Sequence, residues 1–422
     1  MPAWEPPYRG LRVLDISQGL AGPSCASILA QQGAEVIKVE PPAGDWGRGI
    51  GWGREGKCGL FIAGNLGKRS IAIDATRPKG REVLARLAQG ADVVGESFRP
   101  GVAARLGLGY ADLAARDPRL VYVSVNGYGP DGPYEKRPGS DSVFQAMTGL
   151  MRANRDANGT PRKVGVLVAD ICTGVYAAQA TGAALYRRAT TGKGGHVEAS
   201  LLEATTAFQA MAVVEDEIAG GKTVQPVAVP ASTYATADGY INVTALTDAM
   251  FAKLAQAVGR TDWAGDASLA KVAGRLERRD EIEAGLAALF ATAPTAHWIE
   301  VLTRHDVLCG AVNSYAEMRA DPQVRHARIL TELDQAPYGR ILVPRLPGVP
   351  PDAAAAIRPA LATGNVDLLT QAECLSVLTD VSPGNPFIPT EDPPWRESSP
   401  FPSMRCLHRL PTQWRGGAPT AC

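Results

Sequence analysis

The stretch that decides the fold is GLRVLDISQGLAGPSCASILAQQGAEVIKVE, residues 10–40. Its two ends, residues 11–17 and 34–40, are short runs rich in Val, Ile and Leu, which is typical of buried strands. Residues 22–33 between them have the small and apolar side chains of a helix and end in Gly33. A strand, a helix and a second strand in this order predict a parallel unit of an α/β fold.

The same alternation continues to about residue 200. Runs of β-branched residues at 69–75, 91–97 and 120–127 predict three further strands, and residues 78–90 predict a helix that ends in glycine. Together these elements predict a parallel sheet covered by helices. We assign residues 1–220 to a large domain built on that sheet.

Beyond residue 226 the pattern changes. Residues 233–246 predict a hairpin of two strands, and residues 248–259 and 278–294 predict helices. We therefore expect a smaller α+β domain over residues 226–310.

The remaining sequence divides into two parts. Residues 311–360 predict a segment that returns to the large domain and contains a strand within 339–351. Residues 361–422 form an atypical tail, because residues 383–422 carry nine of the chain's 32 prolines and have neither helical nor strand periodicity. We expect this tail to be disordered or to lie over the surface without regular structure.

Charge and composition exclude several classes of partner. The 43 Lys and Arg residues balance 43 Asp and Glu residues, so no global field attracts nucleic acid or an anionic membrane. No stretch approaches the roughly 18 apolar residues of a membrane span, and the N-terminus does not resemble a signal peptide. We expect no nucleic acid and no membrane as a partner.

The seven cysteines are scattered and include no C-x-x-C pair. This spacing argues against a zinc site and against a disulfide framework, and it fits a reducing compartment. We therefore expect a cytoplasmic protein without a bound metal.

Two stretches look like phosphate-binding loops but lack essential residues. GWGREGKC, residues 51–58, has Cys58 where a P-loop needs a hydroxyl for Mg²⁺. SQGLAGPS, residues 17–24, never completes the G-x-G-x-x-G pattern, which leaves a dehydrogenase as a distant possibility. A helix that begins near Gly22 still offers N–H groups and a positive dipole end to an anion.

Asp170 is the candidate catalytic residue. It lies in KVGVLVADICTGVYAAQATGAALYRR, residues 163–188, where an apolar run becomes a helix of small residues. One interpretation is an N-cap, and the other is a nucleophilic carboxylate that the helix dipole and N–H donors hold ionised. No Ser-His-Asp, H-E-x-x-H or paired-Cys pattern accompanies it, so the residues alone leave both interpretations open.

A resemblance to a known family extends from about residue 10 to about residue 350. The chain resembles the class III CoA-transferases, the CaiB/BaiF family, which includes formyl-CoA:oxalate and carnitine-related CoA-transferases. Besides residues 10–40, the resemblance rests on the segments KRSIAID, GESFRPGVAARLGLGY, YVSVNGYGPDGPYEKRPGSD, VADICTG, TGKGGHVEASLLEA and LCGAVNSYAEMRADPQV.

This resemblance implies a fold and a reaction. The fold is a Rossmann-like large domain with a small domain, in a homodimer of two interlocked chains. The co-substrate is coenzyme A as an acyl-CoA, and the acceptor is a small or medium organic acid. Asp170 would attack the thioester to give a mixed anhydride, and the CoA thiolate would then form an aspartyl-CoA thioester.

The resemblance also implies a CoA site with departures from the family pattern. Its implied members are Leu20 and Ala21 along the pantetheine, Ile73 beside the adenine, and Ser97, Phe98 and Arg105 at the nucleotide end. Formyl-CoA transferases have Gln, Arg, Lys and Asn where Leu20, Pro41, Thr76 and Ser97 stand. Phosphate neutralisation would then fall to other basic residues such as Lys38, Arg77 or Lys136.

Two alternatives to the CoA-transferase remain. Racemases related to the family pair the aspartate with a histidine in a GHD segment, whereas this chain has Ser140 and Asp141 in GSD. The family's closing GEHT-type segment is absent, which keeps an inactive CoA-binding homologue as a further hypothesis. Selectivity for the acid would depend on loops at residues 136–150 and 225–247.

Overall fold

The computed structural model describes residues 4–156, 158–221 and 226–354. The predicted tail of residues 361–422 lies outside these ranges. No helix among the described residues has both the length and the apolar character needed to cross a bilayer.

Thirteen strands occur in the described residues. In chain order they are β1 (Arg12–Asp15), β2 (Glu35–Glu40), β3 (Gly53–Arg54), β4 (Lys57–Cys58), β5 (Arg69–Ala72), β6 (Val93–Glu96), β7 (Val121–Asn126), β8 (Gly195–Ser200), β9 (Ala231–Ala235), β10 (Tyr240–Thr244), β11 (Leu308–Ala311), β12 (Leu330–Gln335) and β13 (Gly339–Pro344).

The same part of the chain contains eighteen α-helices and two short 3₁₀ turns, Trp46–Gly49 and Ala267–Leu269. The α-helices are α1 (Ala21–Gln31), α2 (Gly59–Asn65), α3 (Pro78–Gln89), α4 (Val102–Arg105), α5 (Tyr110–Ala114), α6 (Asp141–Met147), α7 (Leu150–Ala153), α8 (Val168–Thr191), α9 (Leu201–Phe208), α10 (Ala210–Ala219), α11 (Asp248–Ala257), α12 (Thr261–Gly265), α13 (Val272–Glu277), α14 (Arg279–Phe290), α15 (Thr295–Arg304), α16 (Tyr315–Ala320), α17 (Pro322–His326) and α18 (Pro351–Ala354).

A six-stranded parallel sheet in the order β5-β2-β1-β6-β7-β8 forms the centre of the fold. It confirms the predicted α/β class, and five of its strands coincide with the predicted ones. The sixth, β8, was not predicted because its sequence GHVEAS has one β-branched residue and begins at a glycine. The chain order reverses between β1 and β6, where parallel sheets open a crevice for ligands at their carboxyl edge.

The helices α1 and α8 pack against each other on one face of this sheet. At Gly174 of α8, an added Cβ would lie 2.9 Å from the Ala21 carbonyl oxygen and 2.7 Å from the Ser24 Cβ, so only glycine fits. Valines of β1, β6 and β7 fill the space between these helices and the sheet. The close approach fixes where the first turn of α8 lies relative to the start of α1.

The predicted hairpin and helices after residue 226 are present. Strands β9 and β10 pair antiparallel, and β11 adds a third strand to the other side of β10. A separate apolar cluster that includes Ile241, Phe251, Leu286 and Trp298 surrounds this sheet. The predicted return strand is β13, which pairs with β12. The division into a large domain and a small domain stays a prediction.

Buried ion pairs lie beneath the loops at the carboxyl ends of β1 and β2. Lys68 Nζ is 2.7 Å from Asp15 Oδ2, and Lys38 Nζ is 2.8 Å from Asp45 Oδ2; all four side chains are almost wholly buried. Lys68 also donates to the Pro23 carbonyl and to the Asn65 side chain. Burial lowers the pKa of Lys68 to about 8, and the charge of Asp15 opposes that change.

Asp15→Asn should therefore destabilise the fold by about 3–5 kcal/mol, because it leaves a buried ammonium without its counter-charge. Urea denaturation at neutral pH measures the change. The control Glu300→Gln removes an exposed ion pair with Arg304 and should cost less than about 1 kcal/mol. The double variant Asp15→Asn, Lys68→Met should regain much of the loss, and an Asp15→Asn protein as stable as wild type would contradict the prediction.

Candidate active site

Two loops meet at the carboxyl edge of the sheet, where the strand order reverses. The Ser97 hydroxyl, just after β6, accepts a hydrogen bond from the Gln18 N–H at 2.8 Å and donates to the Gln18 carbonyl at 3.1 Å. The loop between β1 and α1 is thus tied to the loop between β6 and α4. The arrangement holds both sides of the crevice in one geometry.

The Asp45 carboxylate fixes the first of these loops from below. Its Oδ1 accepts from the N–H groups of Gly19 at 3.0 Å and of Gly47 at 2.8 Å. Gly19 has a φ of +84°, and a Cβ there would lie 2.2 Å from Cζ2 of Trp46. The indole of Trp46 therefore lies directly on Gly19 while 60% of the residue remains exposed beside the loop.

The residues proposed for CoA binding lie on the carboxyl side of this sheet. Leu20 and Ala21 are buried at the start of α1, and Ser97 and Phe98 are half-buried in the loop after β6. Ile73 is buried just after β5. Arg105 ends α4, Lys136 lies between β7 and α6, and both of these cationic residues are exposed. The structure brings Leu20, Ala21, Ser97 and Phe98 together at the crevice, and the role of all these residues in binding CoA stays a prediction.

Asp170 is the third residue of α8, which begins at Val168. The N-cap interpretation is therefore wrong, since Leu167 occupies that position and makes no side-chain cap. Helix α8 lies between β7 and β8 in the chain and runs antiparallel to these two strands. Its N-terminus therefore lies at the carboxyl edge of the sheet. Because Asp170 is one turn before Gly174, it lies beyond the contact with Ala21, toward the crevice.

The cap of α8 comes instead from Asp141, in the first turn of α6. Its Oδ2 accepts from the Ala169 N–H at 2.7 Å and from the Asp170 N–H at 3.2 Å. Gln145 donates to the other carboxylate oxygen at 2.6 Å and accepts from the Val164 N–H at 2.9 Å. This arrangement fixes the segment before Asp170 and the first turn of the helix. No local sequence pattern could reveal it, because 29 residues separate Asp141 from Asp170.

The environment of Asp170 makes its charge unfavourable. Burial, followed by the charge of Asp141, raises the pKa of the Asp170 carboxyl to about 7. The expectation that the helix dipole and N–H donors hold this carboxylate ionised is therefore wrong, since the N–H groups of Ala169 and Asp170 bind Asp141 instead. A carboxyl group that titrates near neutrality in a cleft is typical of a functional site.

Ser140 and Asp141 stand where related racemases have the GHD segment, and their geometry is not that of an acid–base pair. The Ser140 hydroxyl is exposed and lies 3.3 Å from the Ser142 hydroxyl. Asp141 is buried, and both of its carboxylate oxygens accept hydrogen bonds from α6 and α8. Across the described ranges, no group of three or more His, Cys, Asp or Glu side chains is arranged to hold a metal ion.

Comparison with known proteins gives a consistent result. The profile described as CoA-transferase family III matches residues 8–360. A succinate–glutarate CoA-transferase of Agrobacterium fabrum is 33% identical over 352 residues, which cover 79% of this chain and 87% of that protein. An acetyl-CoA:oxalate CoA-transferase of Acetobacter aceti is 33% identical over 77% of this chain and 85% of that protein.

The fold also matches a crystal structure. A CaiB/BaiF family protein from Brucella suis superposes with a TM-score of 0.71 at 33% sequence identity. The superposition covers 83% of this chain and 98% of that chain.

Asp141→Asn should lower the pKa of the Asp170 carboxyl below its wild-type value of about 7, because the substitution removes the neighbouring negative charge. The asparagine oxygen can still accept a hydrogen bond from the start of α8. Carbon-detected NMR titration of labelled aspartate carboxyl groups measures the shift, with Asp170→Asn to assign the signal. The control Asp131→Asn, at an exposed loop position, should leave the titration unchanged. An unchanged or raised pKa in Asp141→Asn would contradict this account.

Proposed function

The chain belongs to CoA-transferase family III, and from this premise we propose that Asp170 is the nucleophile of CoA transfer. The family moves CoA from an acyl-CoA thioester to a free carboxylic acid, so CoA enters as a co-substrate. The observation that carries the proposal is the Asp170 carboxyl itself. It is half-buried, titrates near neutrality and lies at the start of α8 beside the crevice.

The proposed reaction needs only carboxylates and a thiolate. One Asp170 oxygen attacks the thioester carbon, and the C–S bond breaks to release CoA thiolate and leave a mixed anhydride. The thiolate attacks the aspartyl carbon, which releases the first acid as its carboxylate and forms an aspartyl-CoA thioester. The incoming carboxylate takes the CoA by the reverse steps. No net proton moves, and a carboxylate with a raised pKa is the stronger nucleophile once ionised.

The electrostatics of α8 suit these intermediates. Each tetrahedral intermediate carries negative charge on an oxygen near the start of α8, where the helix dipole is positive. The Asp141 carboxylate already accepts hydrogen bonds from the N–H groups of Ala169 and Asp170. We infer that the hydrogen-bond donors to the oxyanion lie outside the first turn of this helix.

We propose that CoA lies across the crevice between the loops after β1 and β6. Leu20 and Ala21 would contact the pantetheine, Ile73 the adenine, and Ser97 and Phe98 the nucleotide end. The exposed cations Arg105 and Lys136 would neutralise phosphates. Parallel sheets with this strand order bind ligands at the same edge, which supports the assignment.

The acceptor is proposed to be a small or medium carboxylic acid. Relatives at 32–33% identity are named for succinate, glutarate, oxalate and citramalate. A racemase is the second candidate, but Ser140 has a hydroxyl that barely ionises near neutral pH. Asp141 is held by the N–H groups of α8, which leaves it poorly placed to exchange a proton with substrate.

The test is exchange of radiolabelled CoA between an acyl-CoA and a panel of carboxylic acids. Wild type should catalyse exchange, and Asp170→Asn should lower the rate by at least about 10⁴-fold while it keeps the wild-type fold, because no other group forms the covalent intermediate. Hydroxylamine should trap wild type at Asp170 only when acyl-CoA is present. Transfer by a pure Asp170→Asn protein would refute the assignment.

The same experiment in D₂O separates the two enzyme classes. A transferase should not place deuterium at the α-carbon of a 2-methylacyl-CoA. Rapid deuterium uptake without CoA exchange would favour the racemase and point to Asp141 as the second base. Binding of CoA with neither reaction would favour the inactive homologue.

We further propose a cytoplasmic homodimer of interlocked chains, with a large domain of residues 1–220 and a small domain of residues 226–310. Free thiols at Cys25, Cys58 and Cys172 fit a reducing compartment.

Large apolar side chains are exposed along α8, α9 and α10, and a single chain would leave them in water: Ile171, Val175, Tyr176, Tyr186, Phe208, Met211, Val214 and Ile218. Exposed apolar side chains in this number favour a second copy as their cover.

The wild-type protein should be a dimer from nanomolar to micromolar concentration, as measured by light scattering, because interlocked chains do not separate without exposing this surface. The double substitution Met211→Glu, Ile218→Glu should lower the yield of dimer on refolding. The control Leu342→Glu changes an exposed residue of β13 and should leave the yield unchanged. A stable, folded wild-type monomer would contradict the proposal.

A further inference from the structure

Glu96 ends β6 and is a buried carboxylate that forms no ion pair with the described part of the chain. Within the described residues, the buried carboxylates Asp15, Glu40 and Asp45 each pair with a lysine or arginine, whereas no such pair forms at Glu96. Burial raises the pKa of Glu96, which indicates that the site holds the charge at a cost. Because no ion pair stabilises the buried Glu96 carboxylate, a role other than stabilising the fold must account for it.

Glu96 binds the backbone of the neighbouring loop. Its Oε2 accepts a hydrogen bond from the Phe98 N–H at 2.7 Å. The residue between them, Ser97, is tied to Gln18 across the crevice. Each residue from Glu96 to Phe98 is therefore anchored at the point where the chain leaves the sheet.

Neighbouring strands hold the carboxylate in turn. Ser124 is the register partner of Glu96 on β7, and hydrogen bonding from its hydroxyl limits the rise in the pKa of Glu96 that burial causes. The Ser124 hydroxyl oxygen is also 2.9 Å from Nε2 of His196 on β8. The His196 ring stacks on Tyr110 at 4.6 Å between centroids, which fixes its orientation.

The loop that Glu96 anchors leads directly to Arg105. The chain turns at Gly101, which has a φ of +80°, and enters α4 at Val102. A Cβ on Gly101 would lie 3.4 Å from a guanidinium nitrogen of Arg105, so the turn and this side chain are close together. A shift of Phe98 would therefore move the residues that follow it as far as Arg105.

We propose that Glu96 is a positioning residue that holds the Ser97–Arg105 segment in the geometry that receives the nucleotide end of CoA. It acts through the Phe98 amide and does not touch the reacting atoms. Ser124 and His196 lie beside it on the next two strands and are joined to each other by a hydrogen bond. This inference rests on the proposed binding of CoA at the crevice.

Three ligands test the inference by calorimetry: CoA, adenosine 3′,5′-bisphosphate as the nucleotide end, and pantetheine as the other end. Glu96→Ala should weaken CoA and the bisphosphate about tenfold, since a hydrogen bond to a charged group is lost, and should leave pantetheine unchanged. In turnover, KM for acyl-CoA should rise about tenfold while kcat stays within about twofold.

Two variants serve as controls. Glu96→Gln keeps an oxygen for the Phe98 N–H and gains a donor toward Ser124, so it should bind CoA within about threefold of wild type. Glu198→Ala removes an exposed glutamate opposite Ser124 on β8 and should bind CoA like wild type. If Glu96→Ala does not fold, Ser124→Ala should show a loss of about two- to fivefold for the bisphosphate alone.

Several results would overturn the inference. They are wild-type affinity of Glu96→Ala for the bisphosphate, equal weakening of pantetheine, or failure of Glu96→Gln to restore binding. In a protein whose wild type binds CoA, these results leave the proposed function intact. A wild type that binds neither CoA nor the bisphosphate would overturn the proposed function as well.

Discussion

The contact between α1 and α8 is the constraint on which the rest of the structure depends. Helix α8 approaches so closely at Gly174 that a methyl group would overlap the backbone of α1. The contact fixes the height of α8 above the sheet and brings its first turn to the carboxyl edge. There Asp170 extends past the start of α1, beside the crevice formed by the loops after β1 and β6. A longer side chain at residue 174 would move the carboxyl group away from that crevice.

The carboxylates of this edge fall into two electrostatic groups. Asp15, Glu40 and Asp45 each pair with a buried or half-buried cation and hold loops in place. Asp170 has a second carboxylate, Asp141, as its neighbour and gains no cation in the described structure. The first group stabilises the fold, whereas the second retains an unfavourable interaction. Such a division is expected where a site must keep a reactive group and the surrounding fold supplies the stability.

The loops of the crevice are held by polar side chains that bind their backbone groups. Asp45 fixes Gly19 from below, Ser97 ties the two loops together, and Glu96 holds the Phe98 amide. Each of these hydrogen bonds ends on a backbone group. The shape that the loops offer to a ligand therefore depends on a layer of polar residues at the strand ends.

The sequence by itself determined the parallel sheet, since runs of Val and Ile around glycine-ended helices have few other stable arrangements. It also determined the family, because several long segments match in order, and it drew attention to Asp170 within one of them. It could not reveal β8, whose sequence GHVEAS has one β-branched residue and becomes a strand only by pairing with β7. Nor could it show that Asp141 caps α8 or that Asp170 titrates near pH 7. A hydrogen bond across 29 residues and a pKa set by burial depend on which groups the folded chain brings together, and only the tertiary structure decides that.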